Sequence, residues 1–307
     1  MTPTYDFLVL GGGSAGYAAA RTAHDLRMRV AVVDGARELG GLCILRGCMP
    51  SKTLIESANR LCAMRRAEEF GLRVRDPEAR PEEIVARKRS LIAEFADYRA
   101  GQLADGRFDL IRGTAAFTGP HAVEVTPLDG GASFEVGFRS GLVATGSVVS
   151  RLPVPGLEEA GYWTSDDLLD AETLPERVIV LGGGAIALEM ACYLEGLGKT
   201  VTVIQRGIQV LSGTDPDVAE ALEKALRSRG NLTLHTGTKL LRVERDAATG
   251  EKAVFFEKGG EILSVTADEL LQAVGRKPNT ASLRAAVAGV DLEDGSGRVL
   301  CGADQRS

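Results

Sequence analysis

The chain has 307 residues, a formal net charge of −6, 37 glycines and five cysteines. That length suffices for two domains and a sizeable core, while the acidic balance argues against nucleic acid as a partner. The opening Met1-Thr2-Pro3-Thr4-Tyr5-Asp6 lacks a charged segment followed by an apolar one, and no apolar run approaches the roughly 20 residues of a spanning helix, so a cytoplasmic protein with no membrane partner is expected.

The first element is an apolar strand, Phe7-Leu8-Val9-Leu10, followed by the turn Gly11-Gly12-Gly13-Ser14-Ala15-Gly16, a helix to about Arg27 and a second strand, Val30-Ala31-Val32-Val33, ending in Asp34. A G-x-G-x-x-G run alone is a weak signal, but the strand before it, the helix after it and an acidic residue about 20 positions on supply the context of a dinucleotide site. The glycines let backbone N–H groups approach a pyrophosphate at the helix start, and Asp34 can accept hydrogen bonds from a ribose diol. An unliganded structural turn is the alternative reading.

Next comes Gly40-Gly41-Leu42-Cys43-Ile44-Leu45-Arg46-Gly47-Cys48-Met49-Pro50-Ser51-Lys52. Five helical positions turn through roughly 500°, so Cys43 and Cys48 cannot share one helical face and should bridge the loop entering a helix. Pro50 suits the first helical position, which puts Cys48 at or just before the helix start. There the helix dipole favours a thiolate, with Cys43 farther out as the freer sulfur. A zinc half-site would need a second ligand pair of matching spacing, and none is visible; two unrelated buried thiols are the other alternative. Cys62 and Cys192 fall in helical patterns and read as core residues.

A long helical region is expected from about Ser51 to Arg107, then a β-rich piece with strand candidates Val123-Glu124-Val125, Phe134-Glu135-Val136 and Leu142 to Ser147. Pro153-Val154-Pro155-Gly156 reads as a linker. The strand-turn-helix-strand unit then recurs without a gap at an offset of 171, from Gly11 to Gly182: Val178-Ile179-Val180-Leu181, Gly182-Gly183-Gly184-Ala185-Ile186-Ala187, a helix to about Leu197, and Val201-Thr202-Val203-Ile204. Two such units imply two dinucleotides, one held flavin and one exchanging nicotinamide. Where the first has Asp34, the second has Gln205 and Arg206; an arginine there can pair with a 2′-phosphate, so NADPH is expected, with NADH left open. Strand candidates Leu240 to Val243, Ala253 to Phe256 and Leu270 to Ala273 follow, ahead of Gly275-Arg276-Lys277-Pro278-Asn279.

Taken together, Gly11 to Gly16, the run from Cys43 to Lys52, Ala144-Thr145-Gly146-Ser147, Gly182 to Glu189 and Gly275 to Asn279 resemble the FAD-dependent pyridine nucleotide–disulfide oxidoreductases, the family of glutathione reductase, dihydrolipoamide dehydrogenase and mercuric reductase. The resemblance implies an α/β fold of two Rossmann-like dinucleotide-binding domains, the second inserted into the first: residues 1–152 for FAD, 153–274 for NAD(P), and 275–307 returning to the FAD domain. It implies that Cys48 is the charge-transfer thiol against the flavin and Cys43 the interchange thiol. Lys52 matches a lysine near flavin N5 and Glu189 the glutamate that pairs with it; two solvated helix charges are the bland reading of that pair. FAD contacts would come from Gly11, Gly13, Ser14, Ala15, Gly16, Asp34, Gly41, Cys43, Lys52, Ala115, Thr145, Gly146, Ser165 and Arg276. NAD(P) contacts would come from Gly182, Gly184, Ala185, Ile186, Gln205, Arg206 and Gly275.

Full-length relatives continue with a second FAD contact and a dimerisation domain carrying a His-x-x-x-x-Glu pair, so a chain ending at Ser307 is expected to lack the acid–base residue and the usual dimer interface. His24, His121 and His235 match no family base, and no metal site is expected. The expected function is electron transfer from NAD(P)H through FAD to a Cys43–Cys48 disulfide and on to a disulfide, metal ion or other small acceptor. A non-catalytic dinucleotide-binding or redox-sensing module and a thiol-independent oxidase or quinone reductase are the alternatives.

Overall fold

The computed structural model describes residues 4–307; Met1-Thr2-Pro3, part of the opening segment read above, lie outside the described residues. Contacts divide the chain into two compact units, one of residues 1–49, 90–148 and 276–307, the other of residues 50–89 and 149–275.

The first unit opens with β1 (Thr4–Leu10), α1 (Ser14–Asp25) and β2 (Val30–Asp34), then α2 (Gly41–Leu45) and the start of α3 (Cys48–Arg65). The later half of α4 (Pro81–Leu103) returns the chain to this unit, where β3 (Asp109–Gly119), β4 (Ala122–Pro127) and β5 (Phe134–Val143) follow. β1 pairs in parallel with β2 and β5, and β2 with β3. The long β3 and β5 run on into an antiparallel meander with β4, so the ladder closes into a barrel. Strand side chains alternate between two apolar clusters: Val9, Val30 and Val32 join Tyr17, Ala20 and Leu103 on one face, while Leu8, Leu10, Ala31 and Val33 join Phe117, Val125 and Phe138 on the other. Covering both faces explains why β1 and β2 read as unbroken apolar runs and not as alternating ones.

After β6 (Ser147–Val149), the second unit contains α5 (Leu157–Ala160), α6 (Ser165–Leu169), β7 (Arg177–Leu181), α7 (Ala185–Gly196), β8 (Thr200–Ile204), α8 (Pro216–Arg227) and β9 (Leu232–His235). It ends with β10 (Thr238–Arg245), β11 (Lys252–Lys258), β12 (Glu261–Ala267) and β13 (Glu269–Gln272), and β14 (Arg276–Pro278) leads back to the first unit. A parallel sheet of order β13-β7-β8-β9 stands beside an antiparallel sheet of order β10-β11-β12. The 171-residue repeat is carried into the fold: α1 and α7 start and stop at equivalent positions, and Gly11 N–H donates to Val33 O at 2.8 Å as Gly182 N–H does to Ile204 O at 2.9 Å.

Several expectations are corrected. The helical stretch from 51 to 107 is two long helices separated by residues 66–80, where Gly71 takes a positive φ of 72° and ends a short 3-10 turn. Pro50 is the third residue of α3 and not its first; its missing N–H still falls in the first turn, where no intrahelical acceptor exists. The strand expected over 142–147 breaks after Val143, because Gly146 adopts φ 72° between β5 and β6. β3 and β12 were not anticipated; polar and small residues interrupt their apolar pattern, and pairing with neighbours supplies the order.

The core of the second unit includes one unpaired group. Tyr193 is fully buried on α7 and its hydroxyl has no hydrogen-bond partner among the described residues; burial pushes its pKa above the usual phenol range. A buried polar atom without a partner is a net cost, so Tyr193→Phe is expected to stabilise the protein by about 1 kcal/mol, read as a rise in denaturant midpoint at unchanged slope.

Candidate nucleotide and dithiol sites

In the first unit the glycine turn works by close approach. A Cβ on Gly11 would stand 2.3 Å from Ala144 O, and one on Gly16 would stand 1.8 Å from Gly11 O. Gly13 caps α1 without any side-chain hydrogen bond, and no acidic residue occupies the first turn, so the leading N–H groups of Ser14, Ala15 and Gly16 are left for an anion. Asp34, only 6% exposed, lies across the turn and accepts Gly12 N–H on Oδ2 at 2.7 Å and Ala36 N–H on Oδ1 at 2.8 Å.

The cysteine segment is seated on this same turn. Gly41, the first residue of α2, approaches Gly13 so closely that its Cβ would lie 2.4 Å from Gly13 Cα. Cys43 therefore sits inside a short helix instead of out on a loop, and it is half-buried while Cys48, the first residue of α3, is exposed. That reverses the expected order of freedom of the two sulfurs, because α2 is held against the turn. Neither cysteine is joined in a disulfide. A hydrogen bond to Cys48, followed by burial, holds the Cys43 thiol above its ordinary value, and Ser14 hydrogen-bonds the same sulfur.

Elsewhere in this unit, Ala115 is half-buried on β3. Thr145 and Gly146 form the turn after β5: Asn279 N–H donates to Gly146 O at 3.0 Å and its side-chain amide to Thr145 O at 3.3 Å. Arg276 is spent on that turn too, donating from Nε to Ser147 Oγ at 2.9 Å and from Nη2 to Ser147 O at 2.8 Å. Sequence reasoning quoted Asn279 without a role and missed Arg112, which lies 3.4 Å from Asp34. Asn279 is marked in the sequence only as part of the Gly275–Asn279 run, and Arg112 only by its place opposite Asp34, which appears once strand register is known.

In the second unit Lys52 Nζ donates to Glu189 Oε1 at 2.6 Å, joining α3 to α7 over 137 residues of sequence. The side chains are 58% and 30% exposed, so the pair adds at most about 1 kcal/mol to stability, and its value lies in where it holds the charge. Gly182 has φ 119°, and its Cβ would meet Ala273 O at 2.5 Å. Gly184 caps α7, again with no side-chain hydrogen bond, ahead of Ala185 and Ile186. Gln205 lies against Gly183 as Asp34 does against Gly12, and its amide donates to Ser212 Oγ at 3.1 Å and Gln209 O at 3.3 Å. Arg206 is exposed and makes no ion pair among the described residues. Ser165 begins α6 behind a Thr164–Asp167 capping box, and Gly275 accepts Ser150 N–H at 3.0 Å. No described helix is long and apolar enough to cross a membrane.

Residues 5–301 match the family model for pyridine nucleotide-disulphide oxidoreductases. This chain belongs to that family. It is 34% identical over 289 residues to a mercuric reductase of Lysinibacillus sphaericus, covering 94% of this chain and 51% of the relative. It is 31% identical over 303 residues to a dihydrolipoyl dehydrogenase of Bacillus subtilis, covering 96% and 62%. Among solved structures it is similar to a Cu(II) complex of the HOCl-induced flavoprotein disulfide reductase RclA from Escherichia coli, with TM-score 0.80 and 26% identity over 98% of this chain and 62% of that one. The chain thus spans about half to three-fifths of the length of these relatives. The α/β fold with two Rossmann-like units is the one these pyridine nucleotide-disulphide oxidoreductases share. The residues present fit two dinucleotides: each glycine turn is a cradle that a side chain would fill, and each opens on a helix start that no side chain caps.

Proposed function

We propose that this chain is the electron-relay part of an NADPH-dependent flavoprotein reductase, passing electrons through FAD to a Cys43–Cys48 disulfide and on to a small acceptor. The observation that supports it is the seating of Gly41 on Gly13, which puts the dithiol segment on the glycine turn read as the FAD site. In this reading residues 1–152 hold FAD, 153–274 hold the nicotinamide nucleotide, and 275–307 return to the first domain. Bound in these sites, the two nucleotides supply hydride transfer and two-electron storage. The chain's own residues do the remaining work. The uncapped N–H groups at Ser14 and Ala15 would hold a pyrophosphate, and Asp34 would accept the ribose hydroxyls. Lys52, paired with Glu189, would supply the positive charge that the family resemblance assigns to stabilising a reduced flavin. Each turnover consumes NADPH, one proton and the disulfide, and gives NADP⁺ and two thiols, of which Cys43 keeps its proton through its bond to Cys48. Arg206, with no ion-pair partner among the described residues, suits a 2′-phosphate. The names of the relatives favour a metal ion or a small disulfide as acceptor.

The test is anaerobic addition of one equivalent of NADPH to the FAD-loaded chain, followed by counting thiols with Ellman's reagent. Two new thiols per flavin are expected, at concentrations about tenfold lower for NADPH than for NADH, with the gap closing in Arg206→Ala. A chain that retains no FAD, or that gains no thiols, would sink the reading.

A further inference from the structure

Arg112 stands on β3 directly opposite Asp34 in the parallel register. Its guanidinium works as a fork. Nη1 lies 3.4 Å from Asp34 Oδ1, while Nη2 donates to Ala36 O and, at 3.2 Å, to Arg37 O. Between these contacts Gly35 is pressed so near β3 that a Cβ would meet Thr114 Cγ2 at 2.8 Å and Gly113 O at 3.0 Å. The loop leaving β2 is thereby tied to β3 by its backbone and by one charge.

The consequence for Asp34 is electrostatic. Its carboxylate is 6% exposed, and Arg112 is the cation that pairs with it among the described residues. Without that guanidinium the buried carboxylate is left without its cation and would turn toward water, away from the position in which it could accept ribose hydroxyls. Lysine cannot substitute fully, since its ammonium is a single nitrogen, whereas the guanidinium sets Nη1 at the carboxylate and Nη2 at the two carbonyls in one planar fork.

We propose that Arg112 is the positioning residue for adenosine recognition at the first nucleotide site, holding the Asp34 carboxylate in place to accept the ribose hydroxyls of FAD. The inference rests on reading the first unit as the FAD site. It makes Arg112 specific for the ribose hydroxyls and not a general support of the turn.

The experiment measures flavin binding to the full chain by fluorescence quenching, with FAD and with an FAD analogue lacking the adenosine 2′-hydroxyl. The unaltered chain should prefer FAD by about tenfold. Arg112→Met should weaken FAD by about tenfold while changing the analogue less than about twofold, and Arg112→Lys should fall between. Asp34→Asn should erase the same preference, and combining it with Arg112→Met should cost nothing further, since the two act as one unit. Equal weakening of FAD and analogue in Arg112→Met, or additive losses in the double variant, would overturn the proposal. If the unaltered chain binds neither flavin, the FAD reading itself fails and takes the inference with it; if it binds both but Arg112→Met retains the preference, only the inference fails.

Discussion

Gly16→Ala is expected to destabilise the protein by about 3 kcal/mol or more, lowering Tm by roughly 10 °C, and to abolish FAD retention. Two effects oppose each other at this position. Gly16 lies within α1, where alanine ordinarily gains about 1 kcal/mol over glycine. Against that, the new methyl would sit 1.8 Å from Gly11 O and 3.0 Å from Val9 Cγ1, and a backbone carbonyl cannot rotate away as a flexible side chain can. The clash wins, and relieving it means moving α1 off the strand whose turn it closes. The two copies of the unit provide their own control. The equivalent position in the second copy is Ala187, fully buried in that unit's core, so there Ala187→Gly should cost only about 1 kcal/mol. Gly184→Ala, at a cap with nothing within 4 Å of the added carbon, should cost less than about 1 kcal/mol. Thermal denaturation of the three variants, with flavin content measured on the same samples, checks the set; a Gly16→Ala protein as stable as the parent would refute the close-approach account.

Serine at Cys43 or at Cys48 is expected to stop acceptor reduction, by on the order of 10³-fold or more, because a hydroxyl cannot form or break the disulfide. Flavin reduction by NADPH should continue in both variants, which separates loss of the relay from loss of the nucleotide sites. The structure adds an asymmetry between the sulfurs. Cys48 is exposed, whereas Cys43 is half-buried and keeps its proton. In the reduced protein without FAD, iodoacetamide should therefore modify Cys48 about tenfold faster than Cys43. Adding FAD should protect Cys48 and invert the order, as expected if that sulfur faces the flavin. Since the Cys43 thiol lies above its ordinary value, its thiolate is scarce at neutral pH, and its labelling should keep climbing as pH passes the usual thiol range near 8.5. Labelling that stays faster at Cys48 with FAD bound would contradict the assignment of the two sulfurs.

Much of the fold was legible because its signals are local. The apolar runs at 7–10 and 178–181, the glycine turns after them and the offset of 171 mark the same strand-turn-helix-strand unit twice, and β2, α1 and α7 fall within a residue or two of the expected bounds. The meander strands were harder. β3 and β12 are held by register with neighbours and carry no strong alternation of their own.

The candidate sites divide along the same line. The sequence by itself determined the residue types of the candidate relay, the spacing of Cys43 and Cys48, the start of α3 to within two residues of the second cysteine, and the exchange of Asp34 for Gln205 and Arg206 between copies. These depend on chain direction, helix geometry and the chemistry of each side chain, all of which short segments carry. The Lys52–Glu189 pair was expected from the family resemblance, and the structure forms it; only the tertiary structure decided that Gly41 rests on Gly13, that Cys43 and not Cys48 is the shielded thiol, and that Arg112 backs Asp34. Each of those is a contact between segments whose positions follow from sheet order and packing, and no local pattern in the chain encodes them.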